Sequence, residues 1–387
     1  MMDENEIYLP PVQLPPTTYD PASPIPMAAP PQPVSHEIFL DDNQLYQLKQ
    51  QGYTDGLSEA LCENCNTFPL RIFIVDNSGS MNFPDGNRLV ATANSAQVKS
   101  VGCTRWREIQ ETIDYHAEMA ALLRAPTIFR LLNDPIIVPK EFSIGVNSDS
   151  SIAEDLRIAK NTMQKAAPTG VTPLLEHLRA VKTEVDGFSP ALRAEGKRIA
   201  IILATDGLPS DARGASGTNV LNDFTNALRD LEGLPIWLVI RLCTDDEKVV
   251  EFYNNLDSQL ELSIEVIDNF LSEAKEMYTM NPWMNYSLPI HRMRELGFQH
   301  RIFDLLDERN LSISELREYC ILLFGAGKLD GLPEPEVDFK GFLHAIDRIL
   351  RTENDHWHPV KMKSKPLLSL SKLRKVYGDG KATCNIM

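Results

Sequence analysis

The chain has 387 residues, 43% hydrophobic and 24% charged, a globular composition with room for one large or two modest cores that excludes a mainly disordered or fibrous protein. Acidic residues number 54 against 38 basic ones, for a formal charge of -16, which argues against wholesale electrostatic capture of nucleic acid. Six cysteines over this length, with no charged-then-apolar leader, fit a reducing compartment. The expectation is an intracellular protein, and no apolar run approaches the ~18 to 20 residues of a membrane-spanning helix.

In chain order, ten of the 26 prolines precede Val34. Residues 1–40 lack hydrophobic periodicity, which predicts a flexible or polyproline-like arm, either a plain leader or a docking peptide. Residues 41–69 carry Leu45, Leu48, Tyr53, Leu57 and Leu61 at roughly helical spacing, one or two short helices packing on the main domain.

From 70 to 281, short β-branched runs alternate with amphipathic windows, the pattern of a parallel sheet covered on both faces. Six strands are predicted at 71–75, 127–131, 142–146, 198–204, 236–242 and 263–267. The predicted helices lie at 105–124, 153–165, 173–185, 220–231, 245–255 and 269–278. The link from Leu132 to Glu141 contains Pro135 and Pro139 and is too short for a crossover helix, so the second and third strands are expected to pair antiparallel at one edge. The expected fold class is therefore α/β, a doubly wound, mostly parallel six-stranded sheet with one antiparallel edge hairpin.

After Pro282 the periodicity is helical, with apolar positions such as Leu305, Leu316, Ile321, Phe342 and Ile346. It predicts a small C-terminal helical module at 282–355. Residues 356–387 form a basic tail in which Lys361, Lys363, Lys365, Lys372, Arg374, Lys375 and Lys381 stand against one acid, Asp379. There is no internal repeat.

The first strand runs into Asp76-Asn77-Ser78-Gly79-Ser80. Carboxyl ends of strands in an open parallel sheet are where ligands bind, and one carboxylate with two hydroxyls at this spacing can turn around a common centre. Hard oxygens of this kind suit Mg²⁺ or Mn²⁺. A second acidic loop, Thr205-Asp206-Gly207-Leu208-Pro209, comes after the fourth strand, and Asp206 faces Asp76 if the two strands are neighbours. Between them in sequence, Thr172 precedes a helix that begins with proline. Its hydroxyl can complete the shell, although Thr169 competes for that place. The plain alternative makes Asp76 and Ser78 capping and turn residues.

Together these three pieces resemble the von Willebrand factor A domain family and its metal-ion-dependent adhesion site, over roughly Leu70 to Tyr278. The family's Asp-x-Ser-x-Ser is matched by Asp76, Ser78 and Ser80, its loop threonine by Thr172 and its distal aspartate by Asp206. The resemblance implies a doubly wound fold and a bound cation, Mg²⁺ or Mn²⁺, with one open position filled by an Asp or Glu of a protein partner. The chain departs from the family between Asn82 and Cys103, where extra residues precede the first helix. They are expected to form a hairpin or ordered loop on the rim, either shaping partner choice or neutral.

No serine of the cluster is flanked by His or Cys, so catalysis is not expected; metal-assisted hydrolysis is the weakest alternative. Cys62-x-x-Cys65 is half a zinc spacing without a second half, which reads as two ordinary thiols. Lys328 to Phe342 has the wrong ligand spacing for a calcium loop and two interrupting prolines. Met277, Met280, Met284 and Met293 read as packing residues. The last four residues, Cys384-Asn385-Ile386-Met387, resemble a prenylation box. Lipid on Cys384 plus membrane contact by Lys361, Lys363, Lys365, Lys372, Arg374 and Lys375 would hold the protein on the cytoplasmic face of an anionic membrane. A solvated tail folding back on the acidic body is the alternative. The functional expectation is a cation-dependent protein-binding module tethered to a membrane, and the second reading is a non-adhesive scaffold with a structural metal site.

Overall fold

The computed structural model describes residues 37–91, 98–257 and 259–378, and all of these belong to one compact unit. Two helices come first, α1 (Asp42–Gln50) and α2 (Asp55–Thr67). They are followed by β1 (Leu70–Val75), the hairpin β2 (Gly86–Ala91) and β3 (Val98–Cys103), α3 (Arg105–Leu123), β4 (Thr127–Leu131) and β5 (Glu141–Ile144). Next are α4 (Ile152–Lys165), α5 (Leu174–Ala194), β6 (Ile199–Thr205), α6 (Thr218–Arg229), β7 (Ile236–Leu242), α7 (Glu247–Asp257), β8 (Ile264–Ile267) and α8 (Phe270–Met280).

The main sheet has the order β5-β4-β1-β6-β7-β8. Every neighbouring pair is parallel except β4 and β5, the expected antiparallel edge. The molecule is thus an α/β protein whose six-stranded sheet has the doubly wound, Rossmann-like arrangement. Period-two alternation divides its strands between two cores. Phe73, Val75, Phe129, Ile202 and Val239 face one layer, whereas Ile72, Ile74, Ile201, Leu203 and Leu238 face α5, α6 and α7 on the other.

Helix α5 continues to Ala194 with Pro190 inside it, past the expected end at Val185. Its stripe of Leu178, Val181, Val185, Phe188 and Leu192 goes on burying itself against the sheet, and that burial outweighs the local cost of proline.

The C-terminal part comprises α9 (Leu288–Glu295), α10 (Arg301–Leu306), α11 (Ile313–Phe324), α12 (Ala326–Leu329), α13 (Phe339–Leu350), the two-stranded β9 (His356–His358) and β10 (Lys363–Lys365), and α14 (Leu370–Tyr377). It is not a separate body. Leu316, Leu323, Phe342, Ile346 and Leu373 are buried in the same cluster as Phe73 and Val239. Glu295 of α9 also reaches Arg292 at 2.7 Å, His116 of α3 at 3.2 Å and Arg241 of β7 at 3.3 Å. Burial opposes charge there, yet the surrounding Arg292, His291 and His116 hold the Glu295 carboxyl well below its ordinary range. The basic segment expected as a tail is likewise structured as far as Gly378, because Leu367, Leu368 and Leu373 are buried and carry their polar neighbours with them. Among the described residues no helix is long and apolar enough to cross a membrane.

Candidate functional site

Strands β1 and β6 run side by side with Val75 opposite Ala204, and β4 and β7 flank them on opposite sides. The order in which strands are added to the sheet therefore reverses between the parallel β1 and β6, leaving a crevice beyond their carboxyl ends. Asp76 enters it directly from β1, with its N–H donating to the Ala204 carbonyl at 2.9 Å. Asp206 enters it from β6. The two residues are 0% and 2% exposed.

Short hydrogen bonds join the motif residues. The Ser78 N–H donates to Asp76 Oδ1 at 2.8 Å, and the Thr205 hydroxyl donates to Oδ2 at 2.7 Å. The Ser80 hydroxyl donates to Asp206 Oδ1 at 2.8 Å and lies 3.0 Å from Ser78 Oγ. Burial, and after it the facing Asp206 charge, push the Asp76 carboxyl up to about 6, against the lowering effect of the Thr205 and Ser78 hydrogen bonds.

The loop carrying the threonines is tied to this cluster through the backbone. Gly79 N–H donates to the Gly170 carbonyl at 3.1 Å, and Thr169 N–H donates to the Asn77 carbonyl at 2.7 Å. Gly170 is required twice over: its φ is +78°, and a β-carbon there would lie 2.6 Å from Asn133 Oδ1. Thr172 is buried, with its N–H donating to Ser210 Oγ at 3.0 Å. A β-carbon on Gly207 would lie 3.9 Å from its Oγ1. Thr169 is exposed, whereas Thr172 is buried beside the Asp206 loop. Among the described residues the Thr172 hydroxyl makes no hydrogen bond to the Asp76–Asp206 cluster.

One participant escaped the sequence reading. Arg105, the first residue of α3, places Nη1 2.8 Å from Asp206 Oδ2. Its Nε and Nη2 each lie 2.6 Å from an oxygen of Asp85, and its guanidinium stands 5.2 Å from the Phe83 ring centroid. The hydrogen bonds to Asp85 and Asp206 hold the Arg105 pKa above its ordinary value. A cation in the first turn of a helix opposes the macrodipole, and that misfit was the available signal. Phe83 and Asp85 belong to the extra segment after Ser80, which forms the β2–β3 hairpin over its described part. The segment is therefore bonded to the site and is not a detached surface loop. It is also fixed to the core, since Asn87 N–H donates to Glu108 Oε2 at 2.7 Å while Glu108 Oε1 accepts from Arg241.

The remaining sequence candidates fall elsewhere. Cys62 Sγ approaches the Ile38 carbonyl at 3.1 Å and Cys65 is buried beside Arg71. Asp338 caps α13 by accepting from Gly341 N–H at 2.8 Å. Met277, Met284 and Met293 are buried, but Met280 is exposed and does not pack as expected. Cys384 and Lys381 lie outside the described residues. No His/Cys/Asp/Glu cluster with metal-ligating spacing occurs among the described residues; a cation at this crevice would draw on hydroxyls as well as the two carboxylates. Comparison with family models and with curated proteins returns no match for the chain.

Proposed function

We propose that the chain is a divalent-cation-dependent protein-binding module of the von Willebrand factor A type, acting inside the cell on a membrane face. The reading rests on one observation: Asp76, Ser78, Ser80 and Asp206 form a single hydrogen-bonded cluster at the reversal point of the sheet. The donor chemistry fits Mg²⁺ or Mn²⁺, since every group is a hard oxygen and two buried carboxylates facing each other favour a shared cation. Asp76, Ser78, Ser80, Thr172 and Asp206 would hold it, and an Asp or Glu of the partner would complete the shell.

The membrane part of the proposal draws on the C-terminal surface. Exposed Val360, Met362 and Val376 alternate with exposed Lys361, Lys363, Arg374 and Lys375, a mixture suited to an anionic interface. Prenylation of Cys384 would supply the second anchor.

The test is isothermal titration of the full chain with MgCl₂ and MnCl₂, beside recovery of partners from lysate in Mg²⁺ and in EDTA. Saturable cation binding lost in Asp76→Ala, with partners retained only in Mg²⁺, is the expected result. No cation binding by folded wild-type protein sinks the metal site; the same partners in both lanes leave the site structural.

A further inference from the structure

A cavity of about 620 Å³ opens between the turn before α9, the end of α13 and the β9–β10 hairpin. Its lining combines apolar Trp283, Leu350 and Leu368 with Lys361, Lys365 and Lys372. Two of these ammoniums converge on one ring: Lys372 Nζ is 4.2 Å and Lys361 Nζ 5.4 Å from the Tyr278 centroid. Lys372 is held in place by the Pro282 carbonyl at 2.8 Å and the Tyr278 hydroxyl.

Gathering like charges costs Coulomb energy, which nearby carboxylates normally offset. Here Asp347, Glu353 and Asp355 share the lining with Arg351 and the three lysines, but none of them pairs directly with a lysine of the cluster. Among the described residues, none of Lys361, Lys365 and Lys372 forms an ion pair. The lining acids Asp347 and Glu353 are instead taken by Arg351 at 2.7 Å and Lys328 at 2.6 Å; Asp355, also in the lining, is exposed. Three buried polar atoms of lining residues have no hydrogen-bond partner, Trp283 Nε1, Asn285 Oδ1 and His358 Nδ1. Burial and then the charges of Lys361, Lys372 and Lys365 push the His358 imidazole down to about 4. It is neutral near pH 7, and Nδ1 can donate in one tautomer.

We propose that this cavity is a binding site for a phosphorylated polyol, with Lys361, Lys365 and Lys372 as phosphate ligands and His358 and Asn285 as partners for its hydroxyls. Three unpaired cations match more than one phosphomonoester charge, and the volume exceeds what a bare phosphate ion fills. The ligand can be free or the headgroup of an anionic lipid. Cys384 lies six residues beyond Gly378, a reach of at most about 20 Å, so a lipid there would hold the end of α14, the helix that carries Lys372, near a bilayer. The site is independent of the cation crevice and needs no lipidation.

The test uses the unprenylated full chain, titrated with inositol trisphosphate and co-sedimented with phosphatidylcholine vesicles. One vesicle set carries phosphatidylinositol bisphosphate, and the other carries phosphatidylserine at matched total charge. Inositol trisphosphate binding is expected to weaken at least ~10-fold in Lys361→Gln/Lys365→Gln, whose side chains are exposed and leave the core intact. Lys248→Gln on α7 is expected to match wild type. Preference for the bisphosphate vesicles assigns the lipid source, and trisphosphate binding without vesicle binding assigns the free one. No trisphosphate binding, or binding unaffected by the double substitution, overturns the proposal.

Discussion

Replacing Arg105 by Gln isolates the least expected element of the crevice. Asp206 has a fully buried side chain and receives the guanidinium at 2.8 Å. Removing one partner of a buried pair costs about 3–5 kcal/mol. The Asp85 end of the bridge adds little, because that side chain is 53% exposed. Asp206 also keeps its Ser80 hydrogen bond, so we predict a loss of about 2–3 kcal/mol in EDTA. A divalent cation would replace the missing charge. At a hundred times its dissociation constant it stabilises by about 2.7 kcal/mol, and in the variant it no longer competes with a guanidinium for Asp206. Mg²⁺ affinity is therefore expected to rise at least ~10-fold in the variant, and the stability gap to narrow by at least about 1.4 kcal/mol in saturating Mg²⁺. Thermal unfolding of both proteins in EDTA and in saturating Mg²⁺, with titration calorimetry, measures both quantities. Equal stability in EDTA would show that the ion pair contributes nothing, and an unchanged gap in Mg²⁺ would refute the competition.

Asp76→Asn is predicted to abolish cation binding while stabilising the chelated protein at pH 7 by about 1–2 kcal/mol, since it removes a buried charge facing Asp206. Because burial raises this carboxyl to about 6 in the folded protein, its contribution favours folding at low pH and is lost as pH rises from 3.8 through 6. Denaturant midpoints across that range should slope for wild type and flatten for the variant; parallel curves would refute the assignment. His177 has the opposite sign. Burial, aided by Lys140, pushes its imidazole down to about 4, so its stability contribution is present above pH 6.5 and is lost as pH falls toward 4, a change of roughly 3 kcal/mol. His177→Gln can keep a donor for the Leu132 carbonyl, which His177 Nε2 approaches at 3.1 Å, and should unfold with a shallower acid dependence than wild type.

Much of the molecule was legible along the chain. Strand runs such as Arg71–Val75 and Ile236–Leu242, the short proline-containing link that makes β5 antiparallel, and the positions of Asp76, Ser78, Ser80 and Asp206 are local or periodic properties, and these survive into the fold because each strand must bury both faces. What tertiary structure alone decided are pairings between distant residues. Thr172 meets the Asp206 loop on a backbone path set by Gly170 and Asn133. Arg105 meets Asp206 and Glu108 meets Arg241 across separations of 101 and 133 residues. The basic C-terminal segment docks because Leu367, Leu368 and Leu373 find room in a core built by residues far upstream. Periodicity reports which face of an element is apolar, but the identity of a charge's partner depends on how elements are stacked, and one chain read in order carries no signal of that stacking.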